Sequence, residues 1–192
     1  MMFSLPWLLA GRKAAEDNLS PHFTLALLTA GRTAAARKID NTPSANLLPN
    51  GRRLAAELEK VMVLFDGMPF LHETDEAGQA AFYRANKPYI ELTNAYRCDA
   101  YNDAVHGQPN SYHRLFLAAD LKPPPGYTVN EMQHKIAADR DIAFDEVLEE
   151  RTADGKQSWL HFQVAKDGRA PRRKVRDAEV GASGTILRTS AG

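Results

Sequence analysis

The sequence is short of cysteine, of net charge and of long apolar runs, and each shortage excludes something. Cys98 is the single cysteine among 192 residues, so no intramolecular disulfide can form and a cysteine-rich structural zinc site is ruled out. The redox compartment stays open on this ground. Lys plus Arg and Asp plus Glu each number 24, for a formal net charge of zero. No basic surplus points to nucleic acid or to an anionic membrane surface. The local run Arg169, Arg172, Arg173, Lys174, Arg176 reads as a solvated face. The apolar opening from Met2 to Ala10 falls far short of the ~20 apolar residues of a membrane span. It has no basic stretch ahead of it, and Gly11-Arg12-Lys13 follow, which argues against a secretory signal. It reads as a loosely ordered start or a small docking segment, and localisation is left undetermined. There is no internal repeat and no long low-complexity tract.

What is present is ordinary globular composition, 44% hydrophobic and 25% charged. A chain of this length buries roughly two thirds of its unfolded surface, enough for a core without disulfides. The organisation reads as an extension over 1–18, a single domain over 19–178 with a polar insertion at 67–87, and a flexible Gly/Ser/Thr-rich tail over 179–192. Thr24 is placed to cap the short apolar run Leu25, Leu27, Leu28. The clearest helix carries Leu54, Leu58, Val61 and Phe65 at i, i+4, i+7 and i+11, one apolar face, and Asp66-Gly67 ends it. Tyr89–Thr93, Leu115–Leu121 and Trp159–Val164 read as strands. Asn130–Ala138 reads as a helix capped by Thr128 or Asn130. Strands interleaved with helices predict an α+β fold, a small and mainly antiparallel sheet holding the site with helices packed on it.

Three groups of residues bear on chemistry: Ser111-Tyr112-His113 leading to Asp120, Trp159-Leu160-His161, and Tyr96-Arg97. A catalytic zinc takes three protein ligands from His, Asp or Glu and keeps a position for water. His113 and Asp120 can approach one point if the chain bends between them, and His161 on a neighbouring strand can close the set. Six histidines in the chain also give accidental pairs. From spacing alone, hydrogen-bonded histidines and an Asp120 that caps the turn at Lys122-Pro123 stand beside the metal reading. Trp159 reads as core, Cys98 as a buried free thiol, and the acidic run Asp145, Glu146, Glu149, Glu150 as a solvated helix end unless one of its members is recruited to the site.

The stretch Ala95-Tyr96-Arg97-Cys98 to Tyr101-Asn102, then Ser111, His113, Ala118 and Asp120, then Phe144-Asp145 with Glu150, and finally Trp159 and His161 resembles a known family. It is similar to the zinc D-Ala-D-Ala carboxypeptidases and L-alanyl-D-glutamate endopeptidases that act on peptidoglycan, especially their phage-type members. Their hallmark is S-x-H-x-x-G-x-A-x-D, preceded by G-Y-R-S-x-x-Y-N and followed by W-x-H. The resemblance covers roughly residues 19–178, the 67–87 insertion excepted. It implies a hedgehog/DD-peptidase-like fold, zinc held by His113, Asp120 and His161, and hydrolysis of peptidoglycan stem peptides. A phage or prophage lysis role fits it. Arg97 would polarise a substrate carbonyl or carboxylate with its planar, permanently charged fork, and Ser111 would hydrogen-bond near the ligand or the substrate. The chain departs from the pattern in two places. Phe116 stands where the family has glycine, and is expected to fill or narrow the site. Ser158 stands where many members place the catalytic Glu, so Glu150 is the first substitute for the general base and Glu149 the second. These departures motivate an alternative, a catalytically impaired zinc-binding module that binds cell wall or serves in a virion.

Overall fold

A computed structural model describes residues 18–85, 87–181 and 186–191. The expected extension at 1–18, with its docking segment, lies almost wholly outside them. The described chain opens with two short helices, α1 (Leu25–Thr29) and α2 (Arg32–Arg37), followed by a 3-10 turn at Ala45–Leu47 and the long α3 (Leu48–Leu64). Thr24 caps α1 as expected, its Oγ1 accepting from the Leu27 amide at 3.0 Å. In α3, Leu54, Leu58 and Val61 are fully buried, as is Phe65 just past its end. Each such side chain contributes roughly 1.5–3 kcal/mol on burial.

Seven strands form one mixed sheet in the order β1-β2-β3-β5-β4-β6-β7. They are β1 (Phe70–His72), β2 (Ile90–Asn94), β3 (Ala118–Lys122), β4 (Phe144–Thr152), β5 (Ser158–Val164), β6 (Lys174–Val180) and β7 (Ile186–Ala191). β1 runs parallel to β2, and β4 parallel to β6; the other neighbours are antiparallel. Three further helices complete the α+β fold: α4 (Glu76–Arg84), α5 (Asp99–Ala104) and α6 (Val129–Ala138). α6 has a complete capping box, with the Thr128 side chain on the Glu131 amide and the Glu131 carboxylate on the Thr128 amide, which satisfies two helix-end donors at once.

The sheet has two unlike faces because side chains alternate along a strand. Ile90, Leu92, Ala119, Leu121, Val147, Leu160, Phe162 and Val164 point to the helix-covered face and join α3 and α6 in one core. The alternate residues of the same strands, Asp120, Glu150 and His161 among them, point to the other face. This division turns polar residues of buried strands into a site.

Several expectations are corrected here. The strand read at Leu115–Leu121 starts only at Ala118, because Tyr112–Leu115 is a 3-10 turn closed by Phe116 in the left-handed region at φ 58°. The 67–87 segment is more than an insertion: it supplies β1, which pairs with β2, and α4. The tail read as flexible from 179 carries the end of β6 and, at 186–191, β7, paired antiparallel to β6. The acidic run from Asp145 is the strand β4, with Asp145, Glu146 and Glu149 buried. A strand lets each acid choose a face, which a helix-end reading does not anticipate. The basic run is likewise divided. Arg173 turns under the fold and donates to the Ala137, Asp139 and Ile142 carbonyls at 3.0, 2.7 and 2.6 Å, satisfying the end of α6, while Arg172 chelates Asp145.

Candidate metal centre

The centre is assembled by sheet register. Asp120 on β3 stands directly opposite His161 on β5, so both side chains leave the same face at neighbouring positions. His113 reaches them from the 3-10 turn before β3, which Ser111 caps: Ser111 Oγ accepts from the His113 amide at 3.3 Å. His113 Nε2 lies 3.1 Å from Asp120 Oδ1 and 3.2 Å from His161 Nδ1, and His161 Nδ1 lies 3.0 Å from Asp120 Oδ1. These three atoms make a small triangle of potential ligand atoms.

The tautomer of His113 follows from its other nitrogen. Nδ1 sits 2.6 Å from the Ala95 carbonyl, which can only accept, so Nδ1 carries hydrogen and Nε2 presents a lone pair. That lone pair faces a carboxylate oxygen, two acceptors with nothing between them unless something positive occupies the triangle. Without a metal that is a proton on His161 Nδ1; with one, it is the cation. Zinc bonds of ~2.0–2.1 Å to nitrogen and oxygen in a tetrahedron separate ligand atoms by about 3.3 Å, and the observed edges are close to this. A backbone carbonyl behind a ligand histidine is also the usual second support of such a ligand. The donor set therefore fits zinc.

The electrostatics suit a buried cation. Burial, and then the Arg97 charge, push His113 down to about 4, so it is neutral near pH 7. Burial alone would raise the Asp120 carboxyl, but His113, His161 and Arg97 outweigh it and hold it well below the usual carboxylate range. Burial lowers His161, yet its hydrogen bond and charge contact with Asp120, with Glu150 adding, leave it above its ordinary value.

Arg97 donates from Nη2 to Asp120 Oδ2 at 2.8 Å and lines the cleft above the centre. Its position is fixed by Asn41. The buried Asn41 amide donates to the Thr29 and Tyr96 carbonyls at 2.8 and 2.9 Å and accepts from the Cys98 amide at 2.8 Å. It thus grips the backbone on both sides of Arg97. Nothing in the Asn41-Thr42-Pro43 string distinguishes such a clamp from a turn residue.

Glu150 lies on β4 opposite Trp159, on the same sheet face as His161 and Asp120. The Trp159 indole donates to Glu150 Oε2 at 2.5 Å. Burial raises the Glu150 carboxyl and outweighs the opposing pull of His161; Asp120 adds to the rise, Trp159 and Arg97 work against it, and the group stands above its ordinary value. Glu149 alternates to the helix-covered face and pairs with Arg151 at 2.8 Å, so it is removed as a candidate base. Trp159 is corrected from core to cleft wall. Phe116 is corrected as well: it does not line the cleft but is fully buried in the core, its ring 5.2 Å from that of Tyr96 and pressed against Gly51, where a Cβ would come within 2.6 Å of it.

The cleft over these residues has a volume of about 640 Å³ and crosses the sheet from Thr93 on β2 to Arg176 and Val180 on β6. It is of the size that holds a small ligand or a few residues of peptide. Among the described residues no helix is long and apolar enough to cross a membrane. The sequence matches no family model and no curated protein.

Proposed function

We propose that this chain is a zinc-dependent peptidase acting on peptidoglycan stem peptides, as a D,D-carboxypeptidase or an endopeptidase. The observation that carries the reading is the convergence of His113 Nε2, Asp120 Oδ1 and His161 Nδ1 at the floor of a cleft that also contains Glu150 and Arg97. The substrate class comes from the motif resemblance, and the chemistry from the site.

His113, Asp120 and His161 would hold the metal. When bound, zinc acidifies a water and stabilises the oxyanion of peptide hydrolysis. Glu150 is the acid–base residue: it faces the centre from the neighbouring strand, and its raised carboxyl is suited to take a proton from water and return it to the leaving amine. Trp159 holds one Glu150 oxygen and leaves the other for that exchange. Arg97 has one arm on Asp120 and offers its remaining donors to a substrate carbonyl or carboxylate. Ser111 shapes the turn that presents His113 and lines the cleft beside it.

The alternative of an impaired binding module was motivated by Phe116 and by the missing usual base. Phe116 in the core and Glu150 in the cleft both favour an enzyme. The test is mass spectrometry of purified muropeptides incubated with the zinc-loaded protein, with and without a chelator. A defined product that disappears with chelator is expected, and its mass names the bond cut. No product from protein carrying stoichiometric zinc would favour the binding module.

A further inference from the structure

The cleft is not centred on the metal residues. From the Asp120–His161 pair it reaches one strand to β2 but two strands the other way, across β4 to β6. On that longer arm, His161, Leu148 and Arg176 stand in one row, because His161 is opposite Leu148 and Leu148 is opposite Arg176. Strands are about 4.8 Å apart, so Arg176 lies two spacings, about 10 Å, from His161 along the row. That is the length of roughly three extended residues.

At the far end of this arm Arg176 and its partner Glu146 both line the cleft, and the guanidinium is the more exposed of the two. Arg176 donates from Nε to Glu146 Oε1 and pairs with the same oxygen through Nη2. The Glu146 side chain is 9% exposed and the Arg176 side chain 37%. Arg172, 46% exposed, stands 4.0 Å from the other Glu146 oxygen and is chelated by Asp145, 4% exposed. The two acids are thus buried posts, and the guanidiniums they hold are turned outward. Lys174, exposed, follows two residues before Arg176 on the same sheet face. A guanidinium fixed from behind loses little freedom on binding a second carboxylate in its planar fork. Leu148, buried between the metal residues and Arg176, gives the arm an apolar floor.

We infer that Arg176, positioned by Glu146, is a distal anion subsite that recognises a carboxylate about three residues from the bond over the metal centre. The ligand is an extended acidic peptide lying across the strands. This rests on the metal-centre reading for where the ligand is anchored, and not for the existence of the subsite.

Two pairs of metal-anchored peptides test it, one for each chain direction. N-acetyl-Glu-Ala-Gly-hydroxamate is compared with its Gln analogue, and mercaptoacetyl-Ala-Ala-Glu-amide with its Gln analogue, on zinc-loaded protein by calorimetry. In at least one pair the Glu peptide is expected to bind roughly ten-fold more tightly, the scale of one charge-assisted hydrogen bond. Arg176→Gln should reduce that preference to about one-fold. Since it also leaves buried Glu146 without its main partner, the double variant E146Q/R176Q is measured beside it, with the same expectation. No Glu preference in either pair, or a preference that survives both variants, overturns the subsite. If none of the four peptides binds to the zinc-loaded protein, the metal-centre reading fails. The subsite is then decided by N-acetyl-Glu-Ala-Gly-amide, which must shift the Arg176 Nε–H resonance of the metal-free protein where the Gln peptide does not. An unshifted resonance overturns it.

Discussion

Arg97 and Asp120 form a part-buried ion pair that splits the carboxylate between two tasks: Oδ2 takes the guanidinium at 2.8 Å, and Oδ1 stays with the two imidazoles. Arg97 therefore sets the rotation of a candidate metal ligand as well as facing the cleft. Arg97→Gln should weaken zinc binding by roughly ten-fold, within the range seen when a supporting hydrogen bond to a ligand is lost, and should lower turnover by more. A competition titration with a zinc indicator reads the first effect. Unchanged zinc affinity would confine Arg97 to the substrate.

The clamp behind Arg97 makes a second prediction. Asn41→Ala removes three hydrogen bonds to backbone groups, with a cost of about 2–4 kcal/mol in urea unfolding. Its effect on zinc affinity should be absent in an Arg97→Gln background, because it acts through that side chain. Additive effects on zinc affinity in the double variant would mean that Asn41 acts on the centre independently of Arg97.

The two histidines impose pH dependences of opposite sign on the metal-free protein. His113 is depressed to about 4 from an unfolded value near 6.5; its contribution is complete above about pH 6.5 and is lost as the pH falls towards 4. His161 is raised; its contribution is complete below about pH 6.5 and is lost as the pH climbs through its folded value. Zinc must displace the proton that His161 holds, so zinc affinity should rise with pH through the His161 range and then level. Competition titrations from about pH 5.5 to 8.5 follow this directly, and a flat profile would contradict the assigned centre.

Glu150→Gln keeps the size of the side chain and its acceptor for the Trp159 indole but cannot take a proton. Turnover should fall by about 10²–10⁴ while bound zinc stays stoichiometric. Loss of zinc together with activity would mean that Glu150 supports the metal and is not the acid–base residue.

Phe116→Gly separates backbone strain from packing. A left-handed non-glycine residue costs roughly 1–2 kcal/mol, which glycine would relieve. Emptying a fully buried aromatic site costs about 3–5 kcal/mol, so the variant should be less stable by a net few kcal/mol in urea. Its activity per folded molecule should be unchanged, because the ring fills the space between Tyr96 and Gly51 and not the cleft. A rise in activity would restore the view of Phe116 as an obstruction.

The strongest periodic signals in the sequence were sound. The apolar face of α3, the caps at Thr24 and Thr128, and strands near Ile90 and Trp159 all follow from local chemistry. The grouping of His113, Asp120 and His161 was legible only through motif order, since spacing cannot reveal that Asp120 and His161 face each other. What stayed hidden depends on long-range pairing. Glu149 and Glu150 are adjacent in sequence, and only the register of β4 sends one to the core and the other to the cleft. Arg172, Arg173 and Arg176 read as one basic run, yet each has a different partner. Asn41 bonds residues as far as 57 positions away, which no local pattern records. The strand at 186–191 lies in a tail rich in Gly, Ser and Thr, and its pairing with β6 carries it where the tail's composition would suggest a loose end.

The direct facing of Asp120 and His161 across β3 and β5 has a consequence for folding fidelity. Residues 119 and 162, next to them in the ladder, supply the core on the reverse side. A slip of one residue between these strands would expel the core residues and separate the ligands in the same step. If the proposed centre takes metal, a chain that captures it has thereby passed an inspection of its own strand pairing, and a misregistered chain would be marked by the metal it fails to hold.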